Sequence, residues 1–182
     1  MMKITIDTIK PNFLILPLRQ SFTLKSSLNT PLRWELEGEK LGTLKEEGAN
    51  AIYTSPDEII PGESDDILSY FKKDIVTAFK DGKYYSATIL TTNLTSNSYK
   101  IELEASNNQK LLRLYRNRKL EGWVEIPLES TEWYTLTGNG RVDPKNGEYY
   151  SSGDNPLTTV ILANDKSNDD FWGYSLITVE AD

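Results

Sequence analysis

Apolar residues in this chain recur mainly at every second position, in short runs separated by turn-forming residues. Residues 3–7 and 20–25 alternate as half-buried strands do. In residues 32–37, Leu32, Trp34 and Leu36 lie on one face and Arg33, Glu35 and Glu37 on the other, which predicts a strand with one solvated side. Residues 74–79 and 85–90 flank Lys80-Asp81-Gly82-Lys83, and an Asp-Gly pair between two apolar runs predicts a tight hairpin. Residues 64–73 predict a short helix inserted between strands: Ser64 is a capping residue, acids follow it, and Lys72 and Lys73 sit at the end where the helix dipole favours cations. Residues 93–98 are polar and aperiodic, which places a boundary there and divides the chain into 1–94 and 95–182. Beyond it, residues 100–104, 111–116, 123–128, 132–136, 158–163 and 174–179 all read as strands.

The two halves repeat one another. Trp34 pairs with Trp133, Gly42 with Gly140, Leu44 with Val142 and Tyr53 with Tyr150. Residues 75–78 then pair with 160–163, and 85–89 with 174–178. This series of tryptophan, glycine turn, apolar strand, second glycine turn and tyrosine resembles the bacterial Ig-like domains that occur in tandem in surface and secreted proteins. The resemblance implies an all-β chain of two tandem Ig-like β-sandwich domains, with the short helix inserted in the first. It also implies a tryptophan filling the gap between sheets, held by packing alone because no cysteine pair is present.

Composition narrows the chemistry. The 182 residues include no cysteine and no histidine, which removes disulfides, thiolate nucleophiles, imidazole bases and His- or Cys-based zinc sites. A net charge of −7 disfavours a nucleic-acid partner. No apolar run is long enough to span a membrane. The one run near the start, residues 13–16, is closed off by Pro11 and Pro17. The expectation is therefore no signal peptide, and a protein that is cytoplasmic or exported without a leader.

Four groups of residues are candidates for function. Lys110, Arg113, Arg116, Arg118 and Lys119 form a basic cluster able to meet carboxylate or sulfate, although charges on an edge strand also serve to block aggregation. Tyr149, Phe171 and Trp172 lie near turns and suit a binding surface, whereas Tyr150 and Tyr174 occupy repeat positions and read as core. Asn164, Asp165, Asn168, Asp169 and Asp170 supply oxygen ligands of the kind calcium takes. Without the spacing of a calcium loop they read as a solvated hairpin tip, so neither metal nor cofactor is expected. Glu125, Glu129 and Glu132 are available for carboxylate catalysis but read as surface residues, and Asn93-Leu94-Thr95 matches a glycosylation sequon by chance. The expected function is a non-enzymatic binding or structural module that presents loops to a protein or glycan. The alternatives are a carbohydrate-binding module, or an assembly component of a phage, secretion or toxin apparatus. The sequence leaves the oligomeric state open.

Overall fold

The computed structural model describes residues 9–61, 66–93, 98–151, 158–168 and 173–180. The chain forms two compact units, Met1–Leu94 and Thr95–Asp182. Both are built from strands, and no helix among the described residues is long and apolar enough to cross a membrane. The expected strand at residues 3–7 lies outside the described residues.

The first unit contains β1 (Ile9–Lys10), β2 (Phe13–Leu16), β3 (Ser21–Ser26), β4 (Arg33–Gly38), β5 (Thr43–Glu47), β6 (Asn50–Thr54), β7 (Phe71–Lys80) and β8 (Lys83–Thr92). One sheet runs β1-β3-β6-β5 and the other β2-β8-β7-β4. With the first strand split between the sheets, this is the ABED and GFC order of an Ig sandwich. The inward residues Leu24, Trp34, Tyr53, Val76 and Ile89 form the core. Asp81 and Gly82 both have positive φ (50° and 73°), as the tight turn joining β7 to β8 requires.

The predicted helix over 64–73 does not form in the described part of that segment. Ile67–Tyr70 make a single 3-10 turn, capped where the Asp66 carboxylate accepts from the Leu68 amide at 3.0 Å. Phe71, Lys72 and Lys73 already belong to β7, where they pair with Thr92, Thr91 and Leu90. Ten ladder pairs with β8 outweigh the local preference of a few helix-compatible residues. Ser64, the expected cap, lies outside the described residues.

The second unit contains β9 (Tyr99–Ser106), β10 (Gln109–Arg118), β11 (Gly122–Glu125), β12 (Thr131–Thr137), β13 (Gly140–Val142), β14 (Glu148–Ser151), β15 (Thr159–Asp165) and β16 (Tyr174–Val179). In one sheet β9, β10, β14 and β13 lie in the same ABED order. The other sheet is β12-β15-β16, the CFG set. β11 has no counterpart among the described strands of the first unit; it is the return strand of a hairpin on β10.

Strand register shows which repeat pairings are structural. Trp34 lies opposite Ala78 and Trp133 opposite Ala163, while Leu44 faces Tyr53 and Val142 faces Tyr149. The buried counterpart of Tyr53 is therefore Tyr149 and not Tyr150, which is half exposed. Similarly, Ala78 faces Tyr85 and Ala163 faces Ser175, so Tyr174 corresponds to Tyr84, one residue away from the alignment of Tyr85 with Tyr174. A slip of one residue exchanges the two faces of a strand.

The two tryptophans differ in their hydrogen bonding. The Trp34 indole N–H donates to the Gly48 carbonyl at 3.1 Å, whereas that of Trp133 is buried without an acceptor. Replacing either by phenylalanine removes the same volume, but Trp34 is buried where Trp133 is only partly so, and Trp34 alone gives up a hydrogen bond, so both differences act in the same direction. The Gly48 carbonyl still accepts from the Leu32 amide at 3.1 Å, so losing the indole bond should make Trp34→Phe cost only about 0.5–1.5 kcal/mol more than Trp133→Phe on this account, measured by denaturant unfolding. Equal costs would show that the Gly48 bond adds nothing.

Candidate functional site

The most developed surface of the second unit is the outer face of β9, β10 and β11. Leu112 and Leu114 point into the core, so Arg113, Tyr115 and Asn117, which alternate with them, point outward. Register places Glu102 beside Arg113, Lys100 and Glu125 beside Tyr115, and Trp123 beside Asn117. The Lys100 ammonium lies 4.6 Å from the Trp123 ring centroid and 5.6 Å from that of Tyr115, with Glu102 Oε1 at 2.5 Å. Burial, with Glu125 and Glu102 close by, raises the Tyr115 pKa and keeps the phenol neutral. Trp123 remains 43% exposed. In the sequence Trp123 opens what reads as an ordinary strand, residues 123–128. The visible signal was a tryptophan one residue after Gly122, in a segment the first half does not repeat.

The basic cluster is divided by this geometry. Arg113 is clamped, its Nη1 donating to the carbonyls of Leu112 (2.9 Å) and Asn146 (2.8 Å) and its Nε lying 3.1 Å from Glu125 Oε1. Arg116 points to the opposite side, 5.8 Å from the centre of the Tyr99 ring. Arg118 ends the strand, paired with Glu121 at 3.3 Å. These charges do not guard a sheet edge as expected, because β10 is an interior strand with β9 on one side and β11 and β14 on the other.

The remaining candidates are placed as follows. Tyr149 is packed in the core beside Leu112 and Ile161, not at the surface. Phe171, Trp172, Asp169 and Asp170 lie outside the described residues. Asp165 is fully buried and serves structure: its carboxylate accepts from the Tyr99 hydroxyl at 3.0 Å and from the Ser167 amide at 2.9 Å, which anchors the start of the β15–β16 hairpin to β9. Burial raises the Tyr99 pKa, which keeps that hydroxyl a donor. The Glu125 carboxylate is ion-paired and Glu132 accepts from the Tyr134 hydroxyl at 2.7 Å, and the two lie in different sheets. Among the described residues no group of three or more acidic side chains is arranged to hold a metal ion.

The first unit carries a smaller surface at the β7–β8 turn. Tyr84 is 71% exposed there, edge-on to Phe79 with ring centroids 4.7 Å apart. Lys80 reaches across to the Thr30 hydroxyl, tying this hairpin to the loop before β4. In Ig sandwiches these two connections lie at the same end.

No protein-family model matches the chain, and no curated protein matches it. Among solved structures, human protocadherin-24 EC1-2 aligns at 11% identity over 96% of this chain and 95% of its own, with a TM-score of 0.35. A chimeric titin Z1Z2 aligns at 10% identity over 94% of this chain and 93% of its own, with a TM-score of 0.36. An S-layer protein aligns at 11% identity over 98% of this chain and 26% of its own, with a TM-score of 0.33.

Proposed function

We propose that this chain is a non-enzymatic binding module of two tandem Ig-like units, and that it engages a protein through the β10–β11 ribbon and the sheet face beside it. The observation that carries this reading is Trp123. It is a large, half-exposed aromatic on a strand that the described part of the first unit lacks, opposite Asn117, with Tyr115 diagonal to it on the same face and Arg113 two residues further along β10, and tryptophan, tyrosine and arginine dominate protein contacts. A binding role also agrees with a composition lacking histidine and cysteine and with carboxylates already engaged in ion pairs and hydrogen bonds. A protein is favoured over a glycan because Lys100 lies over one face of the Trp123 ring at 4.6 Å, which leaves a sugar only the other face to stack on.

The test places a photo-crosslinking residue at position 123 and, as a control, at Lys45 on β5, with both variants expressed in the native host. One specific protein adduct is expected from position 123 and none from position 45. The captured protein, once purified, should bind wild type about tenfold or more tighter than Trp123→Ala. Equal adducts at both positions would count against the reading. So would retention on a glycan array that Trp123→Ala abolishes.

A further inference from the structure

We infer that the tip of the β10–β11 ribbon docks into a cleft on the first unit of a second copy of this chain. The inference rests on the reading of the ribbon as a partner surface and names the partner. Leu120, at the ribbon tip, is 99% exposed, the most exposed of the large hydrophobic residues among those described. Its turn is held from both sides: the Glu121 amide donates to the Arg118 carbonyl at 3.2 Å, and the Arg118 and Glu121 side chains pair at 3.3 Å. The leucine is therefore presented on a fixed turn, and less ordering entropy opposes its docking. Around it the charge is positive. Arg118 and Lys119 outnumber Glu121, and no described carboxylate pairs with Lys119, although the chain as a whole carries −7.

The first unit offers the complement. Beside β4 and β6 a cleft of about 380 Å³ has an apolar lining of Leu41, Pro56 and Ile60, with Ile60 75% exposed. Its rim carries Glu39, Asp57 and Glu58, with Lys72 as the one base among the lining residues. Lys72 lies 3.6 Å from Glu39 and Arg19 lies 3.7 Å from Asp57, while Glu58 has no described partner. An apolar knob with a basic collar thus matches an apolar socket with an acidic rim. Charge of this kind selects and orients partners more than it adds affinity. Knob and socket are different surfaces, so the contact is heterologous, and each added copy leaves a free knob at one end and a free socket at the other.

The experiment is light scattering and sedimentation of the full chain, from micromolar to millimolar concentration, at low and high salt. The weight-average mass should rise with concentration and fall with salt. Leu120→Glu and Ile60→Glu should each leave a monomer with an unchanged circular dichroism spectrum and thermal midpoint, since both positions are exposed. Lys119→Glu and Glu58→Lys should each weaken association, and combining them should restore it. A wild type that stays monomeric throughout would overturn the inference, as would association untouched by both Leu120→Glu and Ile60→Glu. Binding to phosphatidylserine vesicles that Leu120→Glu abolishes would assign the knob to a membrane and equally overturn it. If the adduct at position 123 is a different protein, self-association falls while the ribbon remains a partner surface.

Discussion

Gly42→Ala is expected to destabilise the first unit by about 3–5 kcal/mol, one of the two largest single-site losses foreseen for this chain. A Cβ built on Gly42 would lie 2.4 Å from Tyr53 Cζ and hydroxyl and 2.6 Å from the Thr54 carbonyl oxygen. The carbonyl is part of the β5–β6 ladder and cannot retreat, and Tyr53 is almost fully buried. Relief means moving the ring, which also breaks the 2.8 Å bond from the Tyr53 hydroxyl to the Asp74 carboxylate. Overpacking of this kind costs about 1–3 kcal/mol and the lost charged hydrogen bond about 1.5–3 more. Gly140→Ala meets Tyr149 in the same way, at 2.1 Å from the hydroxyl. The pairing of glycine with tyrosine is thus the part of the repeat that packing enforces in both units. Calorimetry on each variant checks the expectation. A loss below about 1 kcal/mol would show that Tyr53 relocates at little cost.

The second large effect is at Asp74, which is buried in β7 and accepts from the amides of Leu41 (3.1 Å) and Gly42 (2.8 Å) and from Tyr53. Asp74→Ala takes this acceptor from two buried donors, the Gly42 amide and the Tyr53 hydroxyl, and from the part-buried Leu41 amide, and is expected to cost about 3–5 kcal/mol. The second unit supplies an internal control. There the Gly140 amide is met at 2.9 Å by the Thr159 hydroxyl, a neutral group in the corresponding position, so Thr159→Val should cost only about 1–2 kcal/mol. Tyr53 adds a pH signature. Burial first, and then its bond to Asp74, raise the hydroxyl pKa above its ordinary value of 10. The unfolded chain therefore loses this proton before the folded one does. The contribution is fully present below about pH 10 and is lost as pH rises above it. Denaturant unfolding of Tyr53→Phe should show a shallower alkaline decline than wild type, and an identical decline would remove Tyr53 from the account.

The proposed binding role rests on where the two units differ. The shared register of Trp34 with Ala78 and Trp133 with Ala163 holds each sandwich together, and neither pair faces outward. What the second unit adds is the β10–β11 ribbon, which carries Leu120 and Trp123 beyond the shared frame. A connection that lengthens without disturbing the core is where a sandwich gains recognition, because strand pairing stabilises the frame and leaves the loop free to vary.

Much of the fold was legible in the chain itself. Alternation of period two marks β3 and β4, because a half-buried strand writes its two faces directly into the order of residues, and apolar runs on either side of a turn signal mark β7 and β8. Asp81-Gly82 marked its turn because few other residues accept positive φ at two successive positions. The absence of histidine and cysteine closes off whole classes of chemistry by composition alone. Tertiary structure decided the rest. Phe71, Lys72 and Lys73 became strand because β8 lay alongside to pair with them, a partner that local helix preference cannot register. Tyr149 rather than Tyr150 faces the core because register against Val142 fixes which of two adjacent tyrosines points inward, and adjacent residues of the same type look alike in sequence. Arg113, Arg116 and Arg118 read as one patch along the chain, yet a strand sends residues three apart, such as Arg113 and Arg116, to opposite faces and residues two apart, such as Arg116 and Arg118, to the same one, and folding then assigned each its own partner. Whether a residue such as Leu120 or Trp123 is buried or displayed depends on what the rest of the chain packs against it, and only the folded sheet supplies that.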